Sequence, residues 1–274
     1  MFNKLVIIEK INVLPDTIEK LKEVAKEVIY YTSSINKYVL ENCKNIKYIG
    51  MCCSLYSKES ANVDIETAEK LNITVKGVRD YGDEGVAEYI IHELVRFLGG
   101  YNGLKWADVP YEITNLKCGV IGLGTSGTLI ARTLKFFKAD VSYFSRTRKE
   151  HLEKEYGFIY KDLNTLCKES EAVFLALNKN VLLLQKEQFD LMKGKRILFN
   201  TSIGPGFDVD ALEDWLQDKN HYFFGDTLAT IGNTKLWDLE NTFTINRSSG
   251  GQTHQAFHRL GEKVLNNIKE YLNN

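Results

Sequence analysis

The sequence predicts an α/β protein of two lobes, each built on a doubly wound parallel sheet. Three observations carry this prediction. Short apolar runs of strand length alternate with segments of helical periodicity along nearly the whole chain. Residues 119–149 read as strand, glycine-rich turn, amphipathic helix and second strand, the pattern of a βαβ unit. Gly99, Gly100 and Gly103 then break the 274 residues into two parts of domain size.

The elements follow in order. Leu5 to Ile8 reads as a strand, and Pro15 opens a helix over Asp16 to Lys26 with Ile18, Leu21 and Ala25 at helical spacing. Val28 to Tyr31 is a strand, Val39 and Leu40 centre a short helix, and Ile46 to Ile49 is the next strand. Asn62 to Leu71 reads as a helix, Thr74 to Val78 as a strand, and Gly85 to Leu98 as a long helix with Val86, Ile90, Leu94, Val95 and Leu98 on one stripe. The glycines that follow put the first boundary near Gly99. Beyond the glycine-rich turn, Ala172–Leu177, Arg196–Asn200, Tyr222–Asp226 and Thr242–Asn246 read as strands. Helices over Leu163–Cys167, Lys186–Met192 and Val209–Gln217 separate them. Phe257, Leu260, Val264, Ile268 and Leu272 stripe a last helix that begins near Thr253 and is expected to return to the first lobe. The predicted division is thus residues 1–98 with 254–274, and residues 99–253.

The glycine-rich turn carries the first chemical expectation. Gly122 permits the tight turn, Gly124 lets backbone approach a pyrophosphate, and Gly127 lets the helix pack on the strand. Thr125 and Ser126 open that helix, whose N-terminus favours an anion. The segment is therefore expected to be a Rossmann-like dinucleotide site. Its second strand ends in Tyr143 and Phe144, followed by Ser145, Arg146, Thr147 and Arg148, with no acid at the tip. An acid there would bind the ribose 2′-hydroxyl and repel a 2′-phosphate, whereas hydroxyl and guanidinium groups bond the phosphate. NADP(H) is expected over NAD(H); the alternative is that Arg146 and Arg148 are solvated loop charges.

Composition narrows the partner. With 35 basic and 36 acidic residues the net charge is −1, which gives no bulk attraction to nucleic acid or to an acidic membrane surface. A small-molecule substrate is expected. MFNKLVIIEK lacks the pattern of a secretory signal, and no apolar run is long enough to span a bilayer, so a cytoplasmic protein is expected. The five cysteines form no CxxC pair, and reduced thiols and no metal are expected. Cys52 and Cys53 read as small buried hydrophobes rather than reactive thiols.

Together these residues resemble the D-isomer-specific 2-hydroxyacid dehydrogenase family over nearly the whole chain. Asn62, Val63 and Asp64 resemble its substrate-lobe signature, Val86, Ala87 and Glu88 the start of its crossover helix, and GVIGLGTSG its nucleotide turn. LMKGKRILFNTSIGPGFDVDAL over 191–212 resembles its second signature, and Trp237, Asp238 and Leu239 with Gly251, Gln252 and Thr253 its closing one. The resemblance implies two lobes with the active site in the cleft between them, and a homodimer formed through an arm that is short here, within 86–122. It also implies that Asp226 lies near the nicotinamide carboxamide and that Thr201 is on the cofactor side.

In that family an arginine holds the substrate carboxylate, and a histidine kept protonated by a glutamate delivers a proton. The matching positions here are Ile203, near Ile231, and Ser248, so all three groups are missing. An unpaired anion against Ile203 would cost several kcal/mol on the order-of-magnitude scale for buried charge, which argues against a simple 2-oxoacid. The expected activity is an NADPH-dependent reductase of a carbonyl, imine or activated alkene, with an iminium the best fit because its nitrogen arrives protonated. Two alternatives are a glyoxylate or hydroxypyruvate reductase with relocated catalytic groups, and a catalytically inactive NADPH-binding sensor or regulator. Candidate proton donors are Tyr81, His92 and Ser248, although Tyr81 also fits simple packing and His92 a satisfied helix histidine. Cys53, Ser54 and Tyr56 are the candidate substrate-side residues, with Lys58 a replacement cation or a solvated one.

Overall fold

The computed structural model describes residues 1–2, 4–7, 13–25, 28–30, 35–55, 58, 61–103, 105–179, 181–245 and 249–273. The chain divides into two units, Met1–Gly82 with Gln252–Asn274, and Asp83–Gly251.

In the first unit, β1 (Leu5–Ile7) pairs in parallel with β2 (Val28–Tyr30), and β3 (Tyr48–Gly50) with β4 (Thr74–Lys76). Ile8 and Tyr31, expected strand ends, lie outside the described residues. Helix α1 (Pro15–Glu23) has Pro15 in its first turn, where the missing N–H costs no hydrogen bond. Helix α2 (Lys37–Asn42) is capped by the Asn36 side chain, which accepts from Val39 N at 3.1 Å. The helix expected from Asn62 begins instead at Ile65, as α3 (Ile65–Lys70). Asp64 is its cap, accepting from Thr67 N at 3.0 Å, and Val63 pairs as extended backbone with Ile35. The C-terminal helix, His254–Asn273, contributes Leu260, Val264, Leu265 and Ile268 to a core shared with Ile7, Leu21 and Val78. A Cβ at Gly261 would run into Thr17, so this glycine sets the close approach of that helix to α1.

The second unit is a seven-stranded, all-parallel sheet. Its elements are α4 (Asp83–Leu98), β5 (Lys117–Ile121), α5 (Thr125–Phe136), β6 (Asp140–Phe144), α6 (Glu150–Tyr156), β7 (Ile159–Tyr160) and α7 (Leu163–Glu169). They continue as β8 (Ala172–Leu175), α8 (Lys186–Leu191), β9 (Arg196–Asn200), α9 (Val209–Trp215), β10 (His221–Gly225) and β11 (Thr242–Thr244). The strand order is β11-β10-β9-β8-β5-β6-β7. Alternate strand residues feed two cores, Phe174, Phe199 and Phe224 joining α4 and α5 on one face, and Val173, Leu198 and Phe223 joining α7, α8 and α9 on the other. Phe174, Phe199, Phe224 and Phe243 occupy one register across four strands, with rings 5.2, 4.7 and 4.7 Å apart. Each such contact adds about 0.5–1.5 kcal/mol beyond burial.

The boundary expected near Gly99 falls at Gly82, because α4 packs its buried face into the core of the second unit. Its buried stripe also differs from the expected one: Tyr89 and Phe97 are buried, whereas Val95 is 38% exposed. The second expected boundary, at residue 253, falls at Gly251. Asn246, an expected strand end, lies outside the described residues. Among the described residues no helix is long and apolar enough to cross a membrane.

Candidate functional site

The glycine-rich turn joins β5 to α5. Gly122 has φ +95°, a conformation that disfavours any side chain, and a Cβ at Gly127 would collide with the Gly122 carbonyl. Gly124 behaves differently: a Cβ there would meet no atom within 4 Å, so the space over its backbone is open. Thr125 and Ser126 supply the first backbone N–H groups of α5, at the positive end of the helix dipole. Such a rim of glycine backbone and helix N-terminus suits a pyrophosphate. The Ser126 hydroxyl donates to Asp83, the first residue of α4, a contact between residues 43 positions apart that no local pattern signals.

At the tip of the neighbouring β6, Ser145 is half-buried, Arg146 and Thr147 are exposed, and the Ser145 hydroxyl donates to Thr147 O at 2.6 Å. Arg148 is committed elsewhere. Its guanidinium donates to both Glu153 oxygens at 2.8 Å, while the Tyr143 hydroxyl donates to Glu153 at 2.7 Å and accepts from Lys149 N at 2.7 Å. Arg148 holds the Glu153 carboxyl down at about 2, and burial pushes the Tyr143 hydroxyl up to about 12. Of the two arginines at this tip, Arg148 alone has a carboxylate partner among the described residues.

At the end of β9, buried Asn200 organises the turn. Its amide donates to Gly204 O at 3.0 Å and Thr230 O at 2.8 Å, and its carbonyl accepts from Ser202 N at 2.9 Å. Ser202 Oγ accepts from Leu177 N at 2.9 Å, and the Thr201 hydroxyl donates to Leu175 O at 3.3 Å. Gly204 takes φ +86°, and Ile203 stands 63% exposed between these fixed residues. Neither Asn200 nor Ser202 was singled out from the sequence; an amide closing an apolar strand was the available signal. Ile231, near the expected glutamate position, is fully buried in the apolar core instead.

Asp226, at the end of β10, is 2% exposed and accepts from Gly250 N at 2.5 Å. Tyr89 packs close by, since a Cβ on Gly250 would lie 3.2 Å from the Tyr89 Cβ. Burial raises the Asp226 carboxyl above its ordinary 3.8, opposed by hydrogen bonds from Gly250 and Ser249. A carboxyl raised on folding favours the fold most when protonated, fully below pH 3.8, and that contribution is lost as the pH rises through the folded value. Asp226→Asn, which cannot ionise, is therefore expected to melt above the parent protein at pH 7 and together with it below about pH 4. Calorimetry at the two pH values checks this; a parent that melts higher at pH 7 would mean the two donors outweigh burial.

In the first unit, Val78 N donates to Cys53 O at 3.0 Å, which brings the 52–55 loop beside the segment leading to Tyr81. Ser54 and Tyr81 are half-buried, and the Tyr81 carbonyl accepts from Arg259 Nε at 2.9 Å. Cys53 is exposed, contrary to the expectation for it, because its carbonyl rather than its side chain is turned into the structure; burial pushes the neighbouring Cys52 thiol up to about 12. Lys58 lies 2.6 Å from Glu69 in an exposed pair. In the second unit, His92 has a 70% exposed side chain, 3.5 Å from Glu93. Tyr56 and Ser248 lie outside the described residues. No group of metal-ligating side chains occurs among the described residues.

Gly122, Gly124, Ser145–Thr147, Thr201 and Asp226 thus all sit at or just beyond the C-terminal ends of the parallel strands β5, β6, β9 and β10, with Gly127 in the first turn of α5, at the edge of the sheet where open α/β folds bind ligands. Residues 96–245 match the model of the D-isomer specific 2-hydroxyacid dehydrogenase, NAD binding domain. The glyoxylate reductase of Pyrococcus furiosus is 27% identical over 92% of this chain and 80% of its own length. The fold is shared with D-lactate dehydrogenase from Escherichia coli, with a TM-score of 0.78 at 22% identity over 98% of this chain and 97% of that one. It is shared equally with an acyclic imino acid reductase solved with NADPH and D-Arg, with a TM-score of 0.80 at 22% identity over 98% of this chain and 97% of that one. The chain belongs to the D-isomer specific 2-hydroxyacid dehydrogenase family and is an NAD(P)-dependent oxidoreductase.

Proposed function

We propose that this oxidoreductase is an NADPH-dependent reductase whose hydride acceptor presents no carboxylate to the β9 turn: an imine, a neutral carbonyl or an activated alkene. The observation that carries this reading is Ile203, 63% exposed where the family resemblance places a guanidinium. An alkyl group offers a carboxylate neither charge nor hydrogen bond. An iminium fits best, since it arrives already protonated and the chain need only position it. The imino acid reductase with the same fold supports this choice as an example of imine chemistry on this scaffold.

When bound, the cofactor would supply the hydride. The backbone at Gly122, Gly124 and Gly127, with the amides of Thr125 and Ser126, would hold its pyrophosphate, and Thr201 and Asp226 its nicotinamide end. Ser145, Arg146 and Thr147 would hold the 2′-phosphate, with Arg146 giving the preference for NADPH. Arg146→Ala is expected to weaken NADPH binding about ten- to hundredfold, the worth of one charged hydrogen-bonded contact, and to change NADH binding by less than about twofold. Fluorescence titration with both cofactors measures it; equal losses for the two would leave Arg146 outside a phosphate site.

For a neutral carbonyl a proton donor is also needed, and Tyr81, His92 and Ser248 stay as candidates, with Cys53, Ser54 and Tyr56 proposed on the substrate side. A homodimer is part of the same reading, supported by the exposed Val95, Tyr101, Val109 and Tyr111 on and after α4. A cytoplasmic setting is supported by the five cysteines, all outside disulfides.

The relatives named glyoxylate reductase favour a second reading, reduction of a 2-oxoacid with relocated catalytic groups. NADPH oxidation followed by absorbance, with glyoxylate, hydroxypyruvate, cyclic imines and neutral carbonyls as acceptors, separates the two. Turnover confined to imines or neutral carbonyls is expected. Rapid turnover of the two oxoacids would overturn the reading of Ile203, and tight NADPH binding with no reduction of any acceptor would make the chain a sensor.

A further inference from the structure

Three loops follow the C-terminal ends of β8, β9 and β10, and each exposes apolar side chains. Val181 and Leu182 are 38% and 60% exposed in the first loop, Ile203 63% in the second, and Leu228 45% in the third. These loops are tied to one another. Leu183 N donates to Gly206 O at 2.8 Å, Leu177 N to Ser202 Oγ at 2.9 Å, and the Asn200 amide to Thr230 O at 2.8 Å. Pro205 also packs at Gly232, its Cγ 3.3 Å from where a Cβ would stand. Over residues 176–183, 201–206 and 226–232 the ionisable side chains are Lys179 and Asp226 alone, and Asp226 is buried.

A rim so short of charge offers little to a small, heavily hydrated acid. Its exposed alkyl groups gain free energy only when something apolar covers them. The rim also continues from Thr201 and Asp226, at the end of the sheet where the nicotinamide would lie, so the molecule covering it is placed to receive the hydride. Resting on the reductase reading above, we propose that the hydride acceptor carries an extended hydrocarbon substituent that packs on Ile203 and Leu228 and is flanked by Val181 and Leu182. The substrate class is then a hydrophobic imine or ketone rather than a short, polar one.

The test uses the NADPH-loaded protein with methyl ketones and alkyl-substituted cyclic imines of rising chain length. Binding is read from quenching of NADPH fluorescence and turnover from absorbance, so that affinity is measured whether or not reaction follows. Each added methylene is expected to lower the dissociation constant about two- to fourfold until the rim is covered. The double variant Ile203→Ser, Leu228→Ser is expected to flatten that dependence, and the exposure of both side chains leaves the fold little to lose. Chain-length dependence without turnover would uphold the packing of a hydrocarbon ligand on Ile203 and Leu228 and overturn the reductase reading, and with it the assignment of that ligand as hydride acceptor. Turnover without chain-length dependence, or a dependence that survives in the double variant, would overturn the inference and leave the reductase standing. Failure of every acceptor to bind would overturn both.

Discussion

Gly127→Ala is expected to cost on the order of 3 kcal/mol of stability and to abolish tight NADPH binding. The added Cβ would collide with the carbonyl of Gly122, a backbone atom that no change of rotamer can move aside. Relief requires that α5 lift from the end of β5. That movement displaces the first amides of the helix and loosens Ile130, Ala131 and Leu134, which are fully buried against the sheet. For a domain of this size the melting temperature should fall by roughly 6–12 °C. Gly124→Ala is the matched control. Its Cβ meets no protein atom within 4 Å, so melting should stay within about 2 °C of the parent while NADPH binding weakens. Calorimetry and fluorescence titration of the two variants read both quantities. Normal melting of Gly127→Ala would refute the packing argument; normal NADPH affinity in Gly124→Ala would mean the pyrophosphate does not lie over that residue.

The second large effect is a gain. Ile203→Arg should tighten binding of oxamate, an unreactive mimic of a 2-oxoacid, about ten- to hundredfold, the worth of a charged, two-pronged hydrogen-bonded pair. Arginine is specified over lysine because its planar fork matches the carboxylate. The turn is already held by Asn200 and Ser202, and the side chain at 203 is mostly in solvent, so the replacement should leave melting within about 2 °C of the parent. Unchanged oxamate affinity in a normally folded variant would show that carboxylates do not approach this turn, and the argument built on Ile203 would fall.

Much of this architecture is legible in the sequence because its signals are local. The glycines at 122, 124 and 127 lie in a strand-to-helix turn, strand Arg196–Asn200 has the observed bounds, and the C-terminal helix carries its apolar stripe into the first unit's core. What was not legible depends on partners distant in the chain. The long helix was assigned to the first lobe by the glycines after it, but its unit is decided by Ile90, Leu94 and Phe97 packing on a sheet that begins at residue 117. Helix α6 has only Leu152 and Tyr156 packed on the core, neither of them fully buried, and β7 has two residues, so each carries too short a pattern to read. In the candidate site, strand ends could be located, but the commitment of Arg148 to Glu153 could not, since it depends on how the chain turns after β6. The same holds for Asp226, whose donors are Gly250 and Ser249, more than twenty residues away.

The discontinuity of the first unit has a consequence for biosynthesis. Its core joins Ile7, Leu21 and Val78 to Leu260, Val264, Leu265 and Ile268, so the part of the chain made first waits for the part made last. The second unit needs nothing beyond residue 251 to complete its sheet, whereas the first displays an unfilled apolar face until the C-terminal helix docks. A chain cut after residue 251 would hold one finished unit and one adhesive half-core, the species most open to aggregation or chaperone capture.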